Sequence, residues 1–119
     1  MPYLLDTNII IAFFAQETTT LDRIRSAYHN DTVYIPSVVL GELYYGALKS
    51  AKVHDNVARV DDLAGRGYII DCDSITARYY GSIKDELRQV GKPIPDNDIW
   101  IAAIAKQRTL TLVTRDAHF

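Results

Sequence analysis

Short apolar runs alternate along this chain with longer segments whose apolar residues recur at helical spacing. The short runs are rich in β-branched, aromatic and leucine residues, and they predict strands at residues 3–5, 32–35, 68–70 and 110–113. The longer segments predict helices at residues 9–14, 18–28, 37–49, 53–65, 74–89 and 96–107. This alternation predicts an α/β fold, built on a parallel sheet with helices on both faces.

Polar residues at the predicted helix starts indicate how the helices are capped. Asp6 precedes the first helix, and Ser37 and Ser74 are the expected N-caps of the helices that follow the second and third strands. The helix over residues 74–89 carries an apolar stripe that we expect to face the core. The stripe consists of Ile75, Tyr79, Ile83, Leu87 and Val90.

Composition limits the class of protein. The chain has 119 residues and is 48% hydrophobic, which suits one domain over residues 1–119. Its longest apolar runs, residues 9–15 and 99–105, fall far short of the roughly 20 residues of a membrane-spanning helix. The first residues lack the basic start and apolar core of a signal peptide, so we expect a cytoplasmic protein.

The few cysteine and histidine residues argue against a cysteine nucleophile and against a structural zinc site. Cys72 is the only cysteine, and its neighbours Asp71 and Asp73 should oppose thiolate formation. Three scattered histidines and one cysteine do not make a structural zinc site of the Cys/His kind. A bound metal would therefore need oxygen ligands. The net charge of −2 does not suit binding of nucleic acid by bulk positive charge, although a carboxylate-rich site in a nuclease would itself lower the net charge.

Four acids distant in sequence should meet at one edge of the predicted sheet. Asp6 and Asp116 follow the first and fourth strands, at the carboxyl edge where ligands of parallel α/β sheets bind. Glu42 lies early in the helix after the second strand, and Asp98 lies in the first turn of the helix before the fourth strand. Both of these helices begin at the same edge.

Clustered carboxylates repel one another unless a cation or protons neutralise them. Oxygen ligands suit Mg²⁺ or Mn²⁺, and such a site suits phosphoryl chemistry. Each acid also has an ordinary interpretation, since Asp6 could serve only as a helix cap and Asp96 and Asp98 only as first-turn acids. Glu42 is harder to explain in this way because its neighbours are apolar.

The segments around these acids resemble the PIN-domain family, specifically the VapC-like toxins of type II toxin–antitoxin modules. The segments are Tyr-Leu-Leu-Asp-Thr-Asn at 3–8, Ser-Val-Val-Leu-Gly-Glu-Leu-Tyr-Tyr-Gly at 37–46, Ile-Pro-Asp-Asn-Asp-Ile-Trp-Ile-Ala-Ala at 94–103 and Leu-Val-Thr-Arg-Asp-Ala-His-Phe at 112–119. They stand in family order with family-like gaps. The resemblance implies a PIN-like α/β/α sandwich around a parallel sheet of four to five strands, with the first and fourth strands adjacent.

The resemblance also implies metal-dependent endonucleolytic cleavage of RNA. Its catalytic and metal-ligating residues would be Asp6, Glu42, Asp98 and Asp116, with Mg²⁺ or Mn²⁺ as the cofactor. The supporting residues that it implies are Thr7, Asn8, Asp96 and Thr114. Of the two neighbouring acids near residue 97, the resemblance makes Asp98 the essential one and Asp96 secondary.

The partners that the resemblance implies are RNA, a second copy of the chain in a homodimer, and a small antitoxin whose C-terminal segment blocks the site. Family members continue into a fifth strand after the Asp-Ala-His-Phe segment, whereas this sequence stops at Phe119. We therefore expect either a shortened chain or a sheet without its fifth strand, whose fourth strand has an exposed edge unless another chain covers it.

Two other functions are compatible with acids at a sheet edge. One is a Mg²⁺-dependent phosphatase or phosphotransfer domain, with Asp71 or Asp73 after the third strand as phosphoacceptor, although that function would leave Glu42 without a role. The other is a non-catalytic PIN-like binding scaffold. The presence of all four acids argues against the scaffold, and formation of a stable acyl phosphate would identify the phosphotransfer domain.

Overall fold

The computed structural model describes residues 2–15, residue 22 and residues 32–114. The elements in these ranges are β1 (Tyr3–Leu5), α1 (Thr7–Phe14), β2 (Val33–Pro36), α2 (Ser37–Leu48), α3 (Val53–Arg66), β3 (Tyr68–Ile70), α4 (Ser74–Gln89), α5 (Asp96–Arg108) and β4 (Thr111–Val113). Each predicted element in these ranges is present, with ends shifted by two residues or fewer. The helix predicted over residues 18–28 lies, except for residue 22, outside the described residues.

The four strands form one parallel sheet in the order β3-β2-β1-β4. β1 pairs with β2 through Tyr3 and Val33, and with β4 through Leu5 and Val113. The predicted α/β class, the parallel sheet and the adjacency of the first and fourth strands are therefore confirmed. Because the strands are parallel, their carboxyl ends lie along one edge, where β1 leads into Asp6.

Aliphatic side chains fill the space between the sheet and its helices. The central strands β1 and β2 read as nearly continuous apolar runs, as expected of parallel strands covered on both faces. Fully buried side chains include Leu4, Val33 and Ile35 from the sheet and Ile101 and Ile104 from α5. Within the described ranges, no helix combines the length and apolar character needed to cross a bilayer.

Two predicted helix caps are wrong. Asp73, not Ser74, caps α4, because its backbone is extended and its carboxylate accepts from the backbone N–H groups of Ile75 (3.0 Å) and Thr76 (2.9 Å). The Thr76 hydroxyl accepts in return from the Asp73 N–H at 3.0 Å, which completes a capping box. Ser37 is the first residue of α2 rather than its cap, because β2 runs through Pro36 directly into the helix.

The predicted apolar stripe of α4 is only partly correct. Tyr79, Ile83 and Leu87 are half-buried and α4 packs against α5, but Ile75 is 56% exposed and Val90 is 65% exposed. The capping box turns Thr76 into the core, so Ile75, about 100° away around the helix, faces outward. Val90 is the C-cap residue, beyond the last helical turn.

The contrast between α5 and α4 gives a test of the core. Ile101→Ala should lower the free energy of unfolding by about 2–5 kcal/mol, because Ile101 is fully buried and its removal leaves a cavity. Ile75→Ala, the matched control on an exposed helix position, should change it by less than about 0.5 kcal/mol. Urea unfolding measures both, and similar losses from the two variants would contradict the assignment of the core.

Candidate active site

Asp6 stands at the carboxyl end of β1 and is held on both sides. Its backbone N–H donates to the Val113 carbonyl at 3.1 Å, which continues the β1–β4 pairing. Its Oδ1 accepts from the Thr7 N–H at 2.7 Å and caps α1, while its Oδ2 accepts from the Thr114 hydroxyl at 2.7 Å. With 4% exposure, the Asp6 carboxylate is a helix cap and also a fixed, buried acid at the sheet edge.

Glu42 lies in the second turn of α2, and the negative charges of Asp6 and Asp98 act on its carboxyl group. The pKa of Glu42 is raised above its ordinary value, chiefly by burial and further by the negative charges of Asp6 and Asp98. The donor groups of Thr7 and Asn97 act in the opposite direction and lower it. Asp6, Glu42 and Asp98 are therefore electrostatically coupled, as their positions in the sequence predicted.

The Glu42 carboxylate is incompletely paired. Within the described part of the chain, its buried Oε1 and the buried hydroxyl of Thr7 make no hydrogen bond of ordinary geometry. A buried acceptor that lacks a partner costs free energy, so this oxygen favours a cation or a proton beside it.

Two aspartates near the start of α5 have different surroundings. Asp98 is buried in the first turn of the helix. Asp96 is exposed, and its carboxylate accepts from Lys84 Nζ at 3.0 Å and from the Tyr80 hydroxyl at 3.0 Å, both on α4. These donors, Lys84 first, lower the pKa of Asp96. Asp96 thus links α5 to α4, whereas Asp98 belongs with the buried acids.

The arrangement fits a hydrated divalent ion. In residues 2–15, 22 and 32–114, no three His, Cys, Asp or Glu side chains converge closely enough to bind one ion directly. Mg²⁺, however, keeps several of its waters and commonly takes only one or two carboxylates from the protein. The oxygen-only donor set and the unpaired Oε1 of Glu42 satisfy that requirement. Asp116, the fourth predicted ligand, lies outside the described residues, and Asn8 is half-buried in the first turn of α1.

An open cleft of about 890 Å³ adjoins Glu42, between α2, the segment after β3 and the start of α5. We call it the Glu42 cleft. It is lined by Ser37, Val38, Gly41, Glu42, Tyr45, Asp71, Cys72, Asn97 and Trp100. Tyr45, Asn97 and Trp100 were not among the site residues predicted from the sequence. Tyr45 follows Glu42 by three positions on the same helix, a spacing that places two residues on neighbouring parts of one face and could have revealed it.

Of the two acids after β3, Asp73 does not fit the role of phosphoacceptor considered above, because its carboxylate caps α4. Asp73 is committed to the cap of α4, and its pKa is lowered, first of all by the hydrogen bond from the Thr76 backbone. Burial, followed by the charges of Asp71 and Asp73, raises the pKa of the Cys72 thiol. The thiol is therefore a poor nucleophile, as expected from its neighbours.

Comparison with known proteins identifies the family of this site. The family model of the PIN domain matches residues 3–119. The chain belongs to the PIN-domain family. Ribonuclease VapC2 of Rickettsia felis is 38% identical to it over 117 residues, which are 98% of this chain and 87% of that protein. The tRNA(fMet)-specific endonuclease VapC of Shigella flexneri is 34% identical over 118 residues, covering 99% of this chain and 89% of the relative.

Solved structures of PIN-domain proteins share the fold. The crystal structure of VapBC2 from Rickettsia felis bound to a DNA fragment from its promoter superimposes with a TM-score of 0.90 at 37% identity. The match covers 98% of this chain and 88% of that chain. The α/β/α architecture around the parallel sheet is therefore that of a PIN domain.

The coupled acids should make the metal-free protein sensitive to pH. Because the folded protein raises the pKa of Glu42, it holds this proton to higher pH than the unfolded chain does. The stability that this proton contributes is present at low pH and is lost as pH rises through the folded-state pKa. In EDTA, Glu42→Gln should therefore be more stable than the unmodified protein at neutral pH, with the difference shrinking towards acid pH.

Thermal unfolding in EDTA between about pH 4 and pH 8 measures this difference. Glu86→Gln is the matched control, because Glu86 is an exposed acid on α4. An equal gain in stability from both variants would mean that only the net charge matters, and would contradict the coupling at Glu42.

Proposed function

We propose that this protein is a metal-dependent endoribonuclease and the toxin of a toxin–antitoxin pair, with Asp6, Glu42, Asp98 and Asp116 as its catalytic metal site. The observation that carries the proposal is the buried Oε1 of Glu42, which makes no hydrogen bond of ordinary geometry within the described residues, in a carboxyl group whose pKa is raised by burial and further by Asp6 and Asp98. PIN-domain ribonucleases as a class depend on divalent metals, and two relatives of this chain are named as a ribonuclease and an endonuclease.

The proposed roles follow from the hydrogen bonds of the acids. Asp6 is held by Thr7 and Thr114, so its carboxylate would need no reorganisation when charge develops beside it. Glu42 Oε1 makes no hydrogen bond of ordinary geometry within the described residues, so it is available to a cation or to a proton of the attacking water. When bound, Mg²⁺ or Mn²⁺ supplies positive charge that stabilises the phosphate and acidifies the attacking water.

The proposed partners are an antitoxin, RNA and a second copy of the chain. The Rickettsia felis neighbour was solved as the VapBC2 complex, which supports an antitoxin partner for this chain also. The Shigella relative is named as specific for an initiator tRNA, so tRNA transcripts are the first RNAs to test. We place the protein in the cytoplasm as the toxin of such a pair, and we propose a homodimer from the family resemblance.

Cleavage of defined transcripts tests the function. The protein should cut RNA only when Mg²⁺ or Mn²⁺ is added, leaving a 5′-phosphate and a 3′-hydroxyl, because an activated water attacks the phosphorus directly. Mapping of the cut ends, with a parallel reaction in excess EDTA, measures both points. Undiminished cutting in EDTA, or a 2′,3′-cyclic phosphate end, would contradict this mechanism.

Asp98 and Asp96 provide a matched pair for the site. Asp98→Asn should reduce cleavage to background while the domain stays folded, because the amide keeps the shape of the side chain but removes a charge from the buried cluster. Asp96→Asn should retain most of the activity, since Asp96 pairs with Lys84 and Tyr80 on the exposed side of α5. Initial cleavage rates and circular dichroism of both variants check this. Equal loss from the two would show that the roles are misassigned.

A further inference from the structure

We infer that the Glu42 cleft binds an unpaired nucleobase of the RNA, which stacks on the exposed ring of Tyr45. The inference rests on the proposed function and names the part of the substrate that the site would recognise. Tyr45 is 66% exposed, although it sits on a helix whose other face carries the buried Val39, Leu43 and Ala47. Its ring lines the same cleft as the Glu42 carboxylate, one helical turn away.

Charge argues that bases, rather than phosphates, provide the affinity in this cleft. Among the residues that the structure describes, its lining includes the acids Glu42 and Asp71 but no lysine, arginine or histidine. The whole chain carries a net charge of −2. The two acids disfavour a phosphate inside the cleft, whereas stacking on an aromatic ring does not depend on charge of one sign.

The neutral part of the lining suits a base. Ser37 and Asn97 supply a hydroxyl and an amide, groups that can pair with base edges, while Val38, Gly41 and Trp100 supply apolar surface. The indole of Trp100 stacks on Tyr80 with ring centroids 4.2 Å apart and an interplanar angle of 18°. This contact holds the indole against Tyr80 in the wall of the cleft.

Lys49 adds a positive charge beside the cleft. Its Nζ lies 4.8 Å from the centroid of the Tyr45 ring. At an exposed position such a cation–π contact is weaker than base–aromatic stacking, so an entering base can displace the ammonium group. The displaced lysine would then be free to contact the phosphate of the same nucleotide.

Fluorescence of Trp100 provides a direct readout, because this is the only tryptophan in the chain and it lines the cleft. The Asp98→Asn protein, used to prevent cutting, is titrated with a short oligoadenylate and with an oligomer of equal length that carries abasic residues. Oligoadenylate should quench the emission saturably. The abasic oligomer should bind at least about tenfold more weakly, as expected for loss of a stacked base.

Tyr45→Ala in the same background should weaken oligoadenylate binding by about tenfold, while Tyr45→Phe should bind like its parent because the ring is kept. Tyr68→Ala is the matched control, since Tyr68 is 61% exposed and begins β3, at the opposite edge of the sheet from the acids. Unchanged affinity in Tyr45→Ala, or equal affinity for the abasic oligomer, would overturn the inference.

Two further measurements separate this inference from its alternatives. If the unmodified protein cuts RNA but Tyr45→Ala binds oligoadenylate normally, the stacking site is wrong and the proposed function stands. If oligoadenylate binds through Tyr45 but no RNA is cut with either metal, the proposed function fails and the base site stands. The remaining alternative is that Tyr45 lies in a contact between two copies of the chain, and sedimentation velocity of Tyr45→Ala tests it. A smaller species than the parent, with unchanged RNA affinity, would support that contact and overturn the inference.

Discussion

The hydrogen bond from the Thr114 hydroxyl to the Asp6 carboxylate fixes the first acid of the site at the edge of the sheet. It joins the ends of β1 and β4, two strands that lie far apart in sequence and adjacent in the sheet. The other oxygen of Asp6 caps α1, so one carboxylate ties together two strands and a helix. Because both of its oxygens accept hydrogen bonds, the Asp6 carboxylate can remain buried at the sheet edge. Its negative charge then disfavours the ionised form of Glu42 nearby.

Placing these three acids close together lowers the stability of the fold. Burial and the neighbouring charges disfavour the ionised form of Glu42, and its Oε1 makes no hydrogen bond of ordinary geometry with a described residue. A domain of this size tolerates such a cluster because the aliphatic layers around β1, β2 and α5 are fully buried and do not involve the acids. The unfavourable charges are confined to the edge of the sheet, where a cation or substrate would relieve them. Local instability and the capacity to bind therefore have the same physical origin.

Hydrophobic periodicity predicted the element order and the parallel sheet because burial of apolar faces determines both, and topology then brought Asp6, Glu42 and Asp98 to one edge. Periodicity could not predict which of two neighbouring polar residues caps a helix. Asp73 and Ser74 are both good caps, and the capping box with Thr76 decides between them. That choice also rotates Ile75 outward. The cleft beside Glu42 was missed because three separate segments line it, and no single stretch of sequence carries its pattern.

The Asp-Asn-Asp run at the start of α5 shows how a helix separates two acids that hydrophobic periodicity alone leaves equivalent. Residues two positions apart point about 200° apart around the helix axis. Asp96 is thereby directed to α4, where Lys84 and Tyr80 neutralise and solvate it, while Asp98 is directed into the buried edge beside Glu42. If Asp96 were unpaired, its charge would add to a cluster that already raises the pKa of Glu42. The ion pair between Lys84 and Asp96 is exposed, so solvent screens it and it adds little to the stability of the fold. Its larger effect is to keep the negative charge of Asp96 away from the site.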